Sequence, residues 1–131
     1  MDSRQKTVWL KRILAVKAAL ALFGWGLPAL IAPMSVFRLL GVPTPDDLLF
    51  VRLFGAVVTA LGLAYWYAYR DPVRNAAIVR VGVLDNGLVT LTIVVFIIFF
   101  GLRSFFLWAS ALLTLGFFLS FLLLMPRSEA T

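Results

Sequence analysis

The chain has 131 residues, 63% of them apolar and 14% charged, with a mean hydropathy of +1.02. A bilayer-spanning helix needs about 20 apolar residues, so four spans would use nearly all of the roughly 83 apolar positions, while the charge content falls well below the about 25% of an ordinary soluble domain. Twelve Lys and Arg against six Asp and Glu leave a net charge of +6, and there is no Cys or His; a soluble domain, a disordered tail, a fibrous repeat, thiol redox chemistry and histidine-based acid–base catalysis are all excluded.

The first predicted span covers residues 8–31, behind a polar and basic N-terminal arm. Such a start also suits a secretory signal peptide, but Ile31-Ala32-Pro33-Met34 makes a poor small-residue cleavage site, which favours a retained helix. In the connector, residues 34–40 set Val36, Phe37, Leu39 and Leu40 against Ser35 and Arg38, predicting a short helix in the interface plane that Gly41 stops. Thr44-Pro45-Asp46-Asp47 then reads as an N-cap, a proline in the first turn and two dipole-complementing acids, starting a second span over 45–70. Its end carries Tyr65, Trp66, Tyr67 and Tyr69, the composition of an interfacial aromatic belt. Asp71-Pro72 closes that helix and caps a third span over 72–100. Gly101-Leu102-Arg103 forms a tight hairpin, and a fourth span runs over 104–125, closed by Pro126 before a short, mostly polar tail.

With the N-terminus inside, the inner loops hold Arg4, Lys6, Lys11, Arg12, Arg70, Arg74 and Arg127, and the outer loops hold Arg38 and Arg103. This bias predicts both termini cytoplasmic. It is a membrane-topology pattern and not a nucleic-acid footprint, so membrane lipids are the expected partners and no nucleic acid is. The continuous apolar runs exclude a transmembrane β-barrel. The expected fold is all-α: a four-helix transmembrane bundle in one domain spanning 1–131, with the short interfacial helix between spans one and two.

Lipid tails are as apolar as leucine, so small and polar residues should mark helix contacts. At 100° per residue, Arg52, Ala56, Thr59, Leu63, Trp66 and Arg70 share a stripe on span two, flanked by Gly55 and Gly62, and read as bundle-facing. Span one offers Lys17, Ala21, Gly24 and Pro28, and span three Gly82, Asp85 and Asn86. Span four offers Ala109, Leu113, Gly116 and Ser120, with Ser110 and Thr114 adjoining. Residues 93–100 and 122–124 are expected to face lipid at least in part.

Four ionisable residues interrupt the apolar spans: Lys17, Arg52, Arg80 and Asp85. Each costs at least about 2.5–3.5 kcal/mol on insertion scales. Arg80 is near enough to a helix start to snorkel to head groups. Arg52 can snorkel too, although its stripe faces the bundle. Asp85 cannot snorkel far, and Lys17 lies at a similar depth, so a Lys17–Asp85 ion pair is expected between spans one and three, serving structure or chemistry.

No HExxH, CxxC, GxSxG beside a His, or P-loop is present. The acids Asp2, Asp46, Asp47, Asp71, Asp85 and Glu129 are scattered, so no metal site, no cofactor and no catalytic residue is assigned. The essential span-one Glu of small four-helix multidrug transporters is absent. Arg80, Asp85 and Asn86 match neither the order nor the spacing of the Arg–Asn–Glu pattern of four-helix glutathione-transferase-like membrane enzymes.

The strings Arg52-Leu53-Phe54-Gly55, Gly62-Leu63-Ala64-Tyr65 and Arg70-Asp71-Pro72 resemble small four-helix bacterial membrane proteins of the DoxX-like group. The likeness covers span two, the following loop and, loosely, the four-helix layout; Lys17 and the 25–28 segment depart from it. It implies the same fold and a bacterial inner-membrane location. Some members are membrane subunits of quinone-linked oxidoreductases, but no catalytic signature of the group maps onto residues here. The leading expectation is a non-catalytic accessory or anchoring subunit that docks on itself or on a larger membrane complex. The competing one is a binder of, or enzyme on, a hydrophobic small molecule such as a lipid or quinone, with Lys17, Asp85 and Asn86 at the polar end of a pocket lined by Trp25, Tyr65 and Trp66, and Arg52 also among the candidate binding residues. A small transporter gated by Asp85 is a third. A cavity near Asp85 would favour the binder; tight packing with an exposed small-residue stripe would favour the anchor.

Overall fold

A computed structural model describes residues 1–127, so Glu129 and most of the expected polar tail lie outside the described residues. Helix α1 is Ser3–Ile31, α2 Met34–Leu39, α3 Leu49–Arg70, α4 Ala76–Phe100 and α5 Phe105–Leu124. The described chain is all-helical, and α1, α3, α4 and α5 are each long and apolar enough to cross a membrane. This is the architecture of a multi-pass membrane protein.

Three helix starts differ from expectation, each for a capping reason. Helix α1 begins at residue 3, not 8, because Asp2 and Gln5 form a reciprocal capping box: the Asp2 carboxylate accepts from the Gln5 N–H at 2.8 Å, and the Gln5 side chain accepts from the Asp2 N–H at 3.3 Å. Helix α3 begins at residue 49, not 45. The side-chain oxygen that reaches its first free N–H belongs to Asp47 (2.8 Å to Leu49 N), not to Thr44. Helix α4 begins at residue 76, not 72: the Asp71 carboxylate accepts from Arg74 N at 3.0 Å and the Asn75 amide donates to Asp71 O at 2.9 Å, closing a separate turn first.

Within α1, residues Leu20–Gly26 form a π-helical stretch, in which the Leu27 N–H reaches back to Leu22 O. Pro28 supplies the reason. In a regular α-helix its ring would strike the carbonyl four residues earlier, and the wider turns relieve that clash. Helix α2 ends at Gly41 with φ +68°, where Gly41 N donates to Arg38 O and Val42 N to Phe37 O, both at 3.0 Å. This is a Schellman closure, which favours glycine for its left-handed conformation. Of the apolar residues expected on one face of α2, Phe37 alone is buried; Leu39 points outward, and Val36 and Leu40 are partly exposed. The Ser104 hydroxyl ties the end of this segment to the α4–α5 loop by donating to Leu40 O at 2.6 Å. Ser104→Ala is expected to cost about 1 kcal/mol and to speed amide exchange at Gly41 and Val42, which hydrogen exchange in detergent would register.

Helix α1 packs along α3 and α4 along α5; α5 also meets α1, and α3 touches α4 briefly. Among the described residues no Cα of α1 comes within 8 Å of one in α4, so those two helices stand diagonally. Their order around the bundle is α1, α3, α4, α5. The close α1–α3 seam needs glycine. A Cβ on Gly26 would sit 2.7 Å from Thr59 Oγ1, and one on Gly55 would strike the backbone of Ala29 and Leu30.

The half of the bundle near the termini holds the packed core. There Leu10, Leu14, Ala18, Tyr65, Val79, Phe117, Phe121 and Leu124 form the core, and the Phe121 ring fills the space left by Gly82. Two expected faces are accordingly corrected. On α3 the buried residues are Gly55, Gly62, Tyr65 and Ala68, while Ala56, Leu63 and Trp66 are exposed. On α5 they are Ser110, Ala111, Thr114, Phe117, Phe121 and Leu124, while Leu113 and Gly116 are exposed. Both stripes are rotated because aromatic rings fit the spaces beside glycines, and the rings set the inward direction. Tyr65 therefore leaves the expected aromatic belt and joins the core.

Candidate functional site

Asp85 lies nine residues into α4, about 14 Å along the axis and near the middle of a hydrocarbon layer of about 30 Å. Every membrane-crossing helix sends a polar side chain to this level. From α1, the Lys17 ammonium donates to Asn86 Oδ1 at 2.7 Å and stands 3.8 Å from Asp85 Oδ2. From α3, the Tyr65 hydroxyl donates to the same Asp85 oxygen at 2.8 Å. The Asn86 amide donates onward to Gly82 O at 2.7 Å. From α5, Ser110 accepts from the Trp25 indole N–H at 3.0 Å, and the Thr114 hydroxyl lies 2.7 Å from that of Thr90 on α4.

The expected Lys17–Asp85 contact is thus present, but it is the longer of two contacts that Lys17 makes on α4. A long lysine stem crosses the diagonal that the α1 and α4 backbones leave open. Lys17 is only 4% exposed, and its ammonium lies 5.1–5.5 Å from the ring centres of Trp25, Tyr65 and Phe117. Three aromatic faces replace part of the lost hydration, an arrangement worth about 2 kcal/mol or more per contact when desolvated.

This polar layer floors a cavity of about 420 Å³ on the side away from the termini. Ala21 and Trp25, Phe54 and Val58, Leu88 and Val89, and Phe106 and Ser110 bring walls from all four long helices. The cavity opens sideways between α3 and α4, the neighbours that touch least, where its lining residues Phe54 and Leu88 are 50% and 62% exposed. The Asp85 side chain is 22% exposed. Both of its protein contacts fall on Oδ2, which leaves Oδ1 without a hydrogen bond among the described residues.

Of the candidates named from sequence, Lys17, Trp25, Tyr65, Asp85 and Asn86 come together here. Trp66 does not: it is 48% exposed and packs on Tyr69 with ring centres 5.1 Å apart. One position along a helix turns a side chain by 100°, enough to move it from the core to the lipid side. Arg52 also stays apart, donating to Ala29 O at 3.1 Å, where it holds α3 to the end of α1. Arg80 lines a separate hollow of about 830 Å³ at the end carrying the termini, with Lys6 and Arg127. Sequence reasoning missed Phe117. Its signal was the 110, 114, 117, 121 spacing, a clean helical stripe carrying two hydroxyls and two rings.

Comparison with protein-family models, with curated proteins and with solved structures returns no match.

Proposed function

We propose that this multi-pass membrane protein binds a hydrophobic small molecule of lipid or quinone size in the cavity above Asp85, entering sideways from the bilayer. The observation that carries the reading is a carboxylate oxygen that no described residue hydrogen-bonds, at the floor of a laterally open apolar cavity. Ligand sites are typically apolar concavities with a few convergent polar groups, and an ionisable residue inside a membrane is costly enough to imply use. The loop-charge bias and the span-two strings support a bacterial inner-membrane location with both termini cytoplasmic, in the manner of DoxX-like proteins. On this reading the cavity serves the outer half of the bilayer.

A second reading has its own observation. Leu113 and Gly116 face outward on α5, and a Cβ at Gly116 would meet nothing within 4 Å. Such a surface suits docking against a second copy or a larger complex, as an accessory subunit would. Purification in mild detergent followed by native mass spectrometry separates the two readings. A bound lipid-sized mass that disappears in Asp85→Ala supports the binder. A stoichiometric protein partner retained by Asp85→Ala and lost by Gly116→Leu, with no such small mass, supports the subunit and overturns the binder.

A further inference from the structure

A second cavity, about 390 Å³, lies beyond the first toward the loop end of the bundle. The two share Trp25, Val42, Phe54 and Phe106 as lining, so they abut at one junction framed by those side chains. The second chamber carries no charged residue. Gly24, Pro28 and Val51 wall it, and Val36 and Phe37 of the short helix α2 cover it. The polar floor, the first apolar chamber and the second thus lie in one line, with only the side chains of Trp25, Val42, Phe54 and Phe106 between the two chambers.

We infer that this path holds a neutral, single-chain amphiphile with a hydroxyl head, donating to Asp85 Oδ1, and a chain of about 14 carbons that passes Trp25 to end beneath α2 (length from). The inference rests on the cavity being a ligand site and adds the class and length of the ligand.

The head follows from the floor. Oδ1 only accepts, so its partner is a donor. Lys17 and Asp85 together are neutral. An anionic head would face the lone pairs of Oδ1, and an ammonium head would compete with Lys17 for the same carboxylate, leaving one cation unpaired in an apolar enclosure. A hydroxyl satisfies Oδ1 without adding charge. The length follows from α1. Lys17 marks the floor and Pro28 the far chamber, eleven residues and at most about 17 Å apart, since the π-helical turns between them rise less than α-helical ones. An extended chain gains about 1.2 Å per bond, so about 14 bonds cover that path. One junction passes one chain.

The test uses the full chain in phosphatidylcholine nanodiscs. Trp9, Trp66 and Trp108, which line neither chamber, are changed to Phe so that Trp25 is the sole indole. Primary alkanols of 8 to 18 carbons brominated at mid-chain are titrated as quenchers. Saturable quenching is expected to be tightest near 14 carbons and roughly tenfold weaker at eight, because a short chain leaves the far chamber unfilled and forfeits its dispersion contacts. Asp85→Ala, combined with Lys17→Met so that no buried ammonium is left unpaired, is expected to abolish saturation while the bundle stays folded. Gly24→Leu is expected to keep eight-carbon binding and to erase the gain from longer chains: a Cβ there meets only Leu20, at 3.7 and 4.0 Å, so the added side chain fills the far chamber without striking backbone. Equal affinities across the series, with Asp85 still required, overturn the two-chamber path and leave the binding site standing. No Asp85-dependent saturation, alongside a co-purified mass that Asp85→Ala removes, overturns the hydroxyl head alone. Absence of both removes the site itself.

Discussion

Replacing Lys17 with Met is expected to destabilise the folded bundle by about 3–5 kcal/mol, the cost of leaving a buried ion-pair partner alone. The Met side chain keeps most of the packing among Trp25, Tyr65 and Phe117, so lost volume does not account for the effect. What remains is the Asp85 carboxylate near the middle of the membrane with Tyr65 as its one protein donor, and Asn86 Oδ1 stripped of the ammonium that it accepts from at 2.7 Å. Lys17→Met with Asp85→Asn should recover most of the loss, since neither site then carries charge. The reciprocal exchange, Lys17→Asp with Asp85→Lys, should recover only part, because the shortest contacts are Lys17 with Asn86 and Tyr65 with Asp85, and the exchange restores neither. Unfolding by increasing SDS in mixed micelles, followed by tryptophan fluorescence, measures the three variants against the parent. A Lys17→Met protein as stable as the parent would show that the carboxylate does not depend on the ammonium.

The second large effect is expected at Gly55. An alanine methyl there would sit 2.7 Å from Ala29 C and 2.8 Å from Leu30 Cα, and it would collide with Leu30 N. All three are backbone atoms, so no side-chain rotation relieves the clash and α1 must move away from α3. That motion also pulls Ala29 O from the Arg52 guanidinium, now 3.1 Å away. Gly55→Ala should cost about 3 kcal/mol or more, at or beyond the top of the overpacking range. The matched control is Gly116→Ala, where the methyl meets nothing. In a helix interior that exchange should be neutral or stabilising by up to about 1 kcal/mol. The same SDS titration reads both. Equal stabilities for the two variants would mean that the α1–α3 seam is not as close as the geometry has it.

The contrast between these glycines marks where sequence reading stopped. Gly55 and Gly116 are both glycines inside apolar helices, and periodicity puts both at or beside an inward stripe. One lies against backbone and the other faces outward. The difference depends on which large side chains fill the bundle, and helical periodicity carries no information on that. Tyr65 and Trp66 show the same limit one residue apart: adjacent aromatics at a helix end read together as an interfacial belt, yet Tyr65 is fully buried and hydrogen-bonded to Asp85. By contrast, the meeting of Lys17 with α4 was legible. Two charges at matching depth in apolar spans have few ways to avoid the cost of burial, and finding one another is the most economical of them.

Element type and surrounding medium follow from local composition. Four runs of apolar residues, long enough to cross hydrocarbon, have to close their backbone hydrogen bonds within each segment, and helices do so. Matching depth along the chain also brings Lys17 and Asp85 together. Tertiary structure decided the face of each helix, the cavity and its sideways opening. Those depend on ring shapes meeting glycine gaps across helices, on Pro28 widening α1 beside Trp25, and on α3 and α4 meeting only briefly. They are relations between distant residues with no local signature along the chain.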